Sequence, residues 1–137
     1  MKTSIKLNVS AEYIFERLID SRIYDIFEAT GEWVTEDDLT NFSYVSEDDA
    51  GQNCRIVLNK VSFAQSYHYQ IETKNELISK AYDLKTLAAD KVEVTFSQRV
   101  KAKSLLHGLR NKTANLFLGW LQASNFRKVL KQIEVGY

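Results

Sequence analysis

Val92-Glu93-Val94-Thr95-Phe96-Ser97-Gln98-Arg99-Val100-Lys101 alternates apolar and polar side chains along its whole length, and Gln98 is the one polar residue on the apolar parity. A period of two is the mark of a strand with one face buried and the other in water. The chain then changes character. From about Ser104 to Glu134 the alternation is gone. Leu105, Leu106, Leu109, Leu116, Phe117, Trp120 and Leu121 recur at roughly 100° per residue, which predicts a helix. Phe126, Val129, Leu130 and Ile133 make a second stripe, rotated from the first across the polar stretch Gln122 to Asn125, where a kink is expected. A half-buried strand running into a long amphipathic helix sets the architecture: a sheet that closes over its own C-terminal helix.

Upstream, the same alternation repeats. Phe42, Tyr44 and Ser46 share a parity. So do Cys54, Ile56 and Leu58, then Tyr67, Tyr69 and Ile71, then Ile78, Lys80, Tyr82 and Leu84. Turns are expected at Asp48 to Gly51, at Lys74-Asn75 and near Ala89-Asp90, where small and polar residues gather. Connections this short join antiparallel neighbours. At the start, Ile5, Leu7 and Val9 alternate over Thr3 to Val9, and Ser10 is a suitable N-cap for a helix that buries Ile14, Phe15, Leu18 and Ile19. Asp20-Ser21 is expected to end that helix and cap a second short one carrying Ile23, Ile26 and Phe27, with Gly31 as the stop. Glu32 to Leu39 reads as a loop with one turn capped by Thr35 and Asp38. The fold class is therefore α+β: a curved antiparallel sheet of about six or seven strands around a long C-terminal helix, with two short helices after the first strand.

Composition sets the outer bounds. The 137 residues fit a single domain, 1–137, and suffice for a real core. Lys and Arg number 18, Asp and Glu also 18, so there is no basic surplus of the kind a nucleic-acid binder uses to displace counterions. Cys54 is the only cysteine, so no intrachain disulfide can form and a reducing, cytoplasmic setting is expected. No apolar run approaches the roughly 20 residues of a membrane span, and Lys2 and Lys6 flank no signal-like stretch. Proline is absent, so element boundaries rest on Gly, Asn and Asp.

The stretch Asn8-Val9-Ser10-Ala11-Glu12-Tyr13-Ile14-Phe15-Glu16-Arg17-Leu18-Ile19-Asp20 resembles the opening of START and birch-pollen-allergen-like domains, the polyketide cyclase-like (SRPBCC) superfamily with the helix-grip fold. Ser21 to Ile26, Ala29-Thr30-Gly31, Phe42 to Val45, Tyr67-His68-Tyr69 and the ending Leu130 to Glu134 are closer to an uncharacterised bacterial domain-of-unknown-function family, family 3284. That family implies no activity. The wider superfamily implies a hydrophobic cavity between sheet and helix holding a lipid, sterol, polyketide or aromatic molecule; some of its members are cyclases or hydrolases and others are protein partners.

Reactive side chains are few. His68, His107 and Cys54 have no metal-ligand spacing, and no metal or cofactor is expected. Cys54 and His68 are the only nucleophile and base to weigh, and they fall on opposite parities. The runs Glu36-Asp37-Asp38 and Glu47-Asp48-Asp49 lack the alternating oxygen pattern of a calcium loop. The tyrosines carry more. Apolar walls with a few polar points make a small-molecule pocket, and buried hydroxyls need partners. The expected cavity-lining residues are Phe42, Tyr44, Tyr67, Tyr69, Tyr82, Phe96, Gln98, Phe117 and Trp120. The expected function is noncatalytic binding of a small hydrophobic or aromatic ligand. The alternatives are an interaction or homodimerisation module, with Leu118 on the helix's outer side, and a cyclase- or hydratase-like enzyme, for which no acid–base pair stands out.

Overall fold

The computed structural model describes residues 1–48, 51–103 and 124–137. Six strands form one sheet: β1 (Lys2–Leu7), β2 (Ser43–Glu47), β3 (Asn53–Ser62), β4 (Ser66–Glu72), β5 (Glu76–Ala88) and β6 (Lys91–Ala102). Their order is β1-β6-β5-β4-β3-β2, every pair antiparallel. A meander from β2 to β6 is thus completed by β1, which returns to lie beside β6. The protonated N-terminus donates to Gln98 O at 2.9 Å and fastens that edge.

Between β1 and β2 the chain crosses under the sheet as α1 (Ala11–Thr30). Ser10 caps it, its Oγ accepting from Tyr13 N–H at 3.1 Å. Gly31 ends it at φ 77°, where a side chain would be strained, and its N–H donates to Phe27 O at 2.8 Å. Two short helices were expected here; the structure has one, unbroken through Asp20 and Ser21. The physical reason is the apolar stripe. Phe15, Ile19, Ile23 and Ile26 keep the three- and four-residue spacing across the supposed break, and all belong to one core. Asp20, read as a cap, instead accepts from Arg17 Nη2 at 2.8 Å on the outer surface. With neither Gly nor Pro in between, nothing interrupts the helix, and Ser costs little inside one.

After α1, Glu36–Asp38 form a single 3₁₀ turn. The Thr35 N–H and hydroxyl both donate to Asp38 Oδ2, at 3.1 and 3.0 Å. The β2–β3 connection places Gly51 at φ 78°, its N–H donating to Asp48 O at 2.9 Å. The last described segment, 124–135, is helical (α2) and lies against β1 and β6 through Phe126, Leu130 and Ile133. Polar clamps hold it near both ends of the described stretch. Asn8 N–H donates to Glu134 Oε2 at 2.6 Å, Tyr13 OH to Ile133 O at 3.1 Å, and Arg127 Nη2 to Thr3 Oγ1 at 3.0 Å. Val129, expected on the buried stripe, is 57% exposed, because it stands at the rim of an opening between α2 and the sheet.

The core has two parts. One packs Phe15, Ile19 and Ile26 of α1 and Leu39 against Tyr44, Ile56, Leu58, Tyr67 and Tyr69. The other packs Leu7, Val9 and Ile14 with Val92, Val94, Phe96, Phe126 and Leu130. Leu18, Tyr82 and Leu84 touch both. No helix among the described residues is long and apolar enough to cross a membrane.

Candidate functional site

Strand parity delivers one set of side chains to the inner face. In register across β4, β5 and β6 lie Tyr67, Tyr82 and Phe96, and one step along, Tyr69, Lys80 and Gln98. Antiparallel partners sit about 4.5–5.5 Å apart at Cα, so each row is a contiguous patch. The two rows meet different neighbours at their two ends, and two distinct polar arrangements result.

At the β2–β4 end, α1 delivers Arg22. Its Nε donates to Tyr67 OH at 2.6 Å and its Nη1 to Tyr44 OH at 2.8 Å. Its guanidinium carbon lies 4.4 Å from the centroid of the Tyr69 ring, a cation–π contact. Tyr44 OH in turn donates to Asp25 Oδ2 in a short hydrogen bond, and Asp25 stands 3.5 Å from Arg22 Nη1. Arg22 and Asp25 are one helical turn apart, so α1 offers both to the same place. Burial pushes the Tyr67 phenol up to about 12 and raises Tyr44 and Tyr69 as well, so all three stay neutral near pH 7. Arg22, Asp25, Tyr44 and Tyr67 thus each have a hydrogen-bond partner within the cluster.

At the β6 end, an open cavity of about 200 Å³ lies between sheet, α1 and α2. Leu18, Tyr82, Phe96, Phe126, Val129 and Leu130 supply its apolar wall, and Lys80, Gln98 and Asn125 its polar points. Three rings gather on it: the Tyr82 and Phe96 centroids are 5.0 Å apart, Phe96 and Phe126 5.0 Å, and Tyr82 and Phe126 6.0 Å. Here polar satisfaction fails. Gln98 Oε1 is buried with no hydrogen-bond partner among the described residues. Lys80 is half-buried, and desolvation, followed by the positive charge of Arg22, lowers its pKa from the usual lysine value. Burial likewise raises the Tyr82 phenol.

The expected site residues therefore divide. Tyr82, Phe96 and Gln98 line the cavity. Tyr44 and Tyr67 are tied to Arg22, with Tyr69 beneath its guanidinium, and Phe42 packs beside Tyr44 at 6.0 Å between ring centroids. Phe117, Trp120 and Leu118 lie outside the described residues. Arg22, Asp25, Phe126 and Lys80 were not among the expected site residues. Arg22 had a sequence signal, since it stands on the α1 stripe between Leu18 and Ile26. Lys80 had one too, sharing the apolar parity of Ile78 and Tyr82.

Cys54 is buried on the inner face, and burial followed by the nearby Asp48 and Asp25 charges raises its pKa, which favours the thiol. His68 belongs to the other parity, where Nε2 meets Asp83 Oδ1 at 2.9 Å. The two are not brought together. No group of three His, Cys, Asp or Glu side chains among the described residues is arranged to hold a metal ion.

Comparison with known proteins fits this geometry. A family model described as "Domain of unknown function (DUF3284)" matches residues 1–119. No curated protein matches the chain in sequence. Among solved structures, a conserved protein from Geobacillus kaustophilus superposes with a TM-score of 0.59 at 16% identity, covering 96% of this chain and 93% of that one. A protein from Chromobacterium violaceum gives 0.52 at 15% identity, covering 98% and 94%. Ara h 8.0201 gives 0.53 at 12% identity, covering 85% and 91%. At these identities the likeness is one of fold.

Proposed function

Because the chain belongs to the family described as a domain of unknown function (DUF3284) and its fold is like that of Ara h 8.0201, we propose that it is a noncatalytic binding protein, its 137 residues one domain, for a small hydrophobic or aromatic molecule held between the sheet and the C-terminal helix. One observation carries the reading: an apolar, ring-lined cavity of about 200 Å³ keeps a buried amide oxygen, Gln98 Oε1, without a partner. An unpaired buried acceptor costs roughly 1–3 kcal/mol, which a ligand donor would recover. Mostly apolar lining with a few convergent polar groups is the general makeup of a small-molecule site. A cavity of roughly 150 Å³ accommodates benzene, so the space suits one ring or a short chain.

The binding role is favoured over catalysis by the chemistry of the wall. An amide does not titrate in the useful range, and burial keeps the Tyr82 phenol protonated near pH 7, so it supplies no base there. Lys80 thus has no partner that titrates near pH 7 on the described wall. Tyr82, Phe96, Gln98 and Phe126 are the proposed ligand contacts, and the Arg22 cluster is the rigid floor beside them.

Native mass spectrometry of gently purified protein, followed by extraction, tests the proposal. The expected result is a small apolar or aromatic compound at near-stoichiometric amount. An empty protein that also binds no member of a single-ring fragment panel would overturn it.

A further inference from the structure

Lys80 and Gln98 are direct cross-strand partners on β5 and β6, both on the inner face and both on the cavity wall. One presents a cation and the other an orphan acceptor to the same small volume. Among the described residues no carboxylate compensates the cation. The ion pairs there are Arg17–Asp20, Arg22–Asp25, Lys103–Glu72 and Lys131–Glu134, Asp83 meets His68, and none of these carboxylates reaches Lys80. Asp25, the carboxylate of the neighbouring cluster, is already held by Tyr44 and Arg22. Outside the described residues the sequence holds one carboxylate, Asp49 in the β2–β3 connection, and residues 104–123 contain neither Asp nor Glu. Tyr69, opposite Lys80 on β4, and Tyr82, two residues along β5 on the same face, are neutral near pH 7, and Arg22 adds a like charge. A half-buried ammonium beside a guanidinium, with no anion of its own, attracts one from outside.

Resting on the cavity as a binding site, we infer that its ligand is a compact aromatic carboxylic acid carrying a hydroxyl or amino group, its carboxylate on Lys80, its donor on Gln98 Oε1 and its ring among Tyr82, Phe96 and Phe126. A carboxylate completes the charge that the protein leaves open, through a charge-assisted hydrogen bond of the stronger kind. The donor answers the amide oxygen. The ring matches a wall of three aromatic side chains better than a flexible chain does, because offset and edge contacts add to area burial.

Isothermal titration at neutral pH with four probes tests this: 2-hydroxyphenylacetate, its neutral amide 2-hydroxyphenylacetamide, phenylacetate and octanoate. The hydroxy acid is expected to bind about tenfold tighter than its amide, the factor that one charge-assisted contact supplies. Lys80→Met should bring the two within about twofold, the larger loss falling on the acid. Phenylacetate should bind about fivefold more weakly than the hydroxy acid, and Gln98→Met should close that gap. Both variants remove an uncompensated polar group, so they are expected to remain folded, which circular dichroism checks. Equal affinity for acid and amide in the unaltered protein would overturn the anionic ligand and leave the cavity reading standing. Octanoate binding more tightly than the hydroxy acid would overturn the aromatic body. If no probe binds and the purified protein is empty, the cavity reading fails and takes this inference with it.

Discussion

The Arg22 cluster and the Lys80–Gln98 wall share one face of one sheet, and each sets a cation among tyrosine rings. They differ in satisfaction. Arg22 is 13% exposed at its side chain and has two tyrosine hydroxyls, a carboxylate and an aromatic face. Among the described residues Lys80 has neither a hydroxyl nor a carboxylate partner, and its neighbour Gln98 keeps a bare oxygen. A buried polar network with all its members paired fixes a structure, whereas one left incomplete is the first place to look for a ligand. The chemistry of the cations sharpens the contrast. A guanidinium has five donors in a rigid fork and stays charged in proteins, which suits a permanent hub. An ammonium is a compact charge on a flexible stem, able to meet an incoming group.

If the first region is structural, breaking it costs stability. Arg22→Met keeps much of the apolar stem and deletes the hub, leaving Tyr67 without its donor and Asp25 without its cation. Asp25 is 44% exposed at its side chain and can turn to water, which limits the loss. A destabilisation of about 3 kcal/mol is expected, within the range for breaking a buried charged network. Urea unfolding measures it; a change under about 1 kcal/mol would remove the distinction between the two regions.

A smaller blow falls on one spoke. Tyr67→Phe keeps the ring, its stack with Tyr82 and the packing, and removes only the oxygen that accepts from Arg22 Nε. Hydrogen bonds to charged groups contribute about 1.5–3 kcal/mol, so about 2 kcal/mol should be lost. The double variant with Arg22→Met tests whether the oxygen acts through Arg22. The two losses should sum to clearly more than the double variant shows, since the same bond disappears in each. Strict additivity would place the role of Tyr67 elsewhere.

How far these regions could be read from sequence follows from the range of the forces. Strand parity is a local property, and the alternation around Val92 to Lys101 and Tyr67 to Ile71 puts the right side chains on the inner face. Ser10 and Gly31 mark the ends of α1 because capping is also local. The break at Asp20-Ser21 misleads because both residue types serve as caps when a helix ends; packing of Ile23 and Ile26 into the same core as Ile19 decides that it does not end. The division of the tyrosines between floor and cavity could not be read locally at all. It depends on Arg22 in a helix crossing under strands that are 22 and 45 residues away in sequence.

The smallest expected effect separates the two cations by pH. Lys80 has its pKa lowered in the folded state, first by desolvation and then by Arg22, from a reference of 10.5. Below the lowered value both folded and unfolded chains carry the charge, and the fold bears the cost of keeping it half-buried. As pH rises from the lowered value towards 10.5, the unfolded chain holds more protons on this residue, so folding becomes relatively more favourable. Lys80→Met removes that cost altogether. The variant should therefore be more stable than the unaltered protein at neutral pH, by about 0.5 kcal/mol once screening at a partly exposed site is allowed for. The gap should narrow as the pH approaches 10.5, where only this difference between the two proteins is at issue and all other titrations cancel. Paired urea unfolding curves at pH 7 and pH 10 measure it. A variant less stable at neutral pH, or a gap that widens with pH, would mean that Lys80 already has a stabilising partner, and the contrast with Arg22 would disappear.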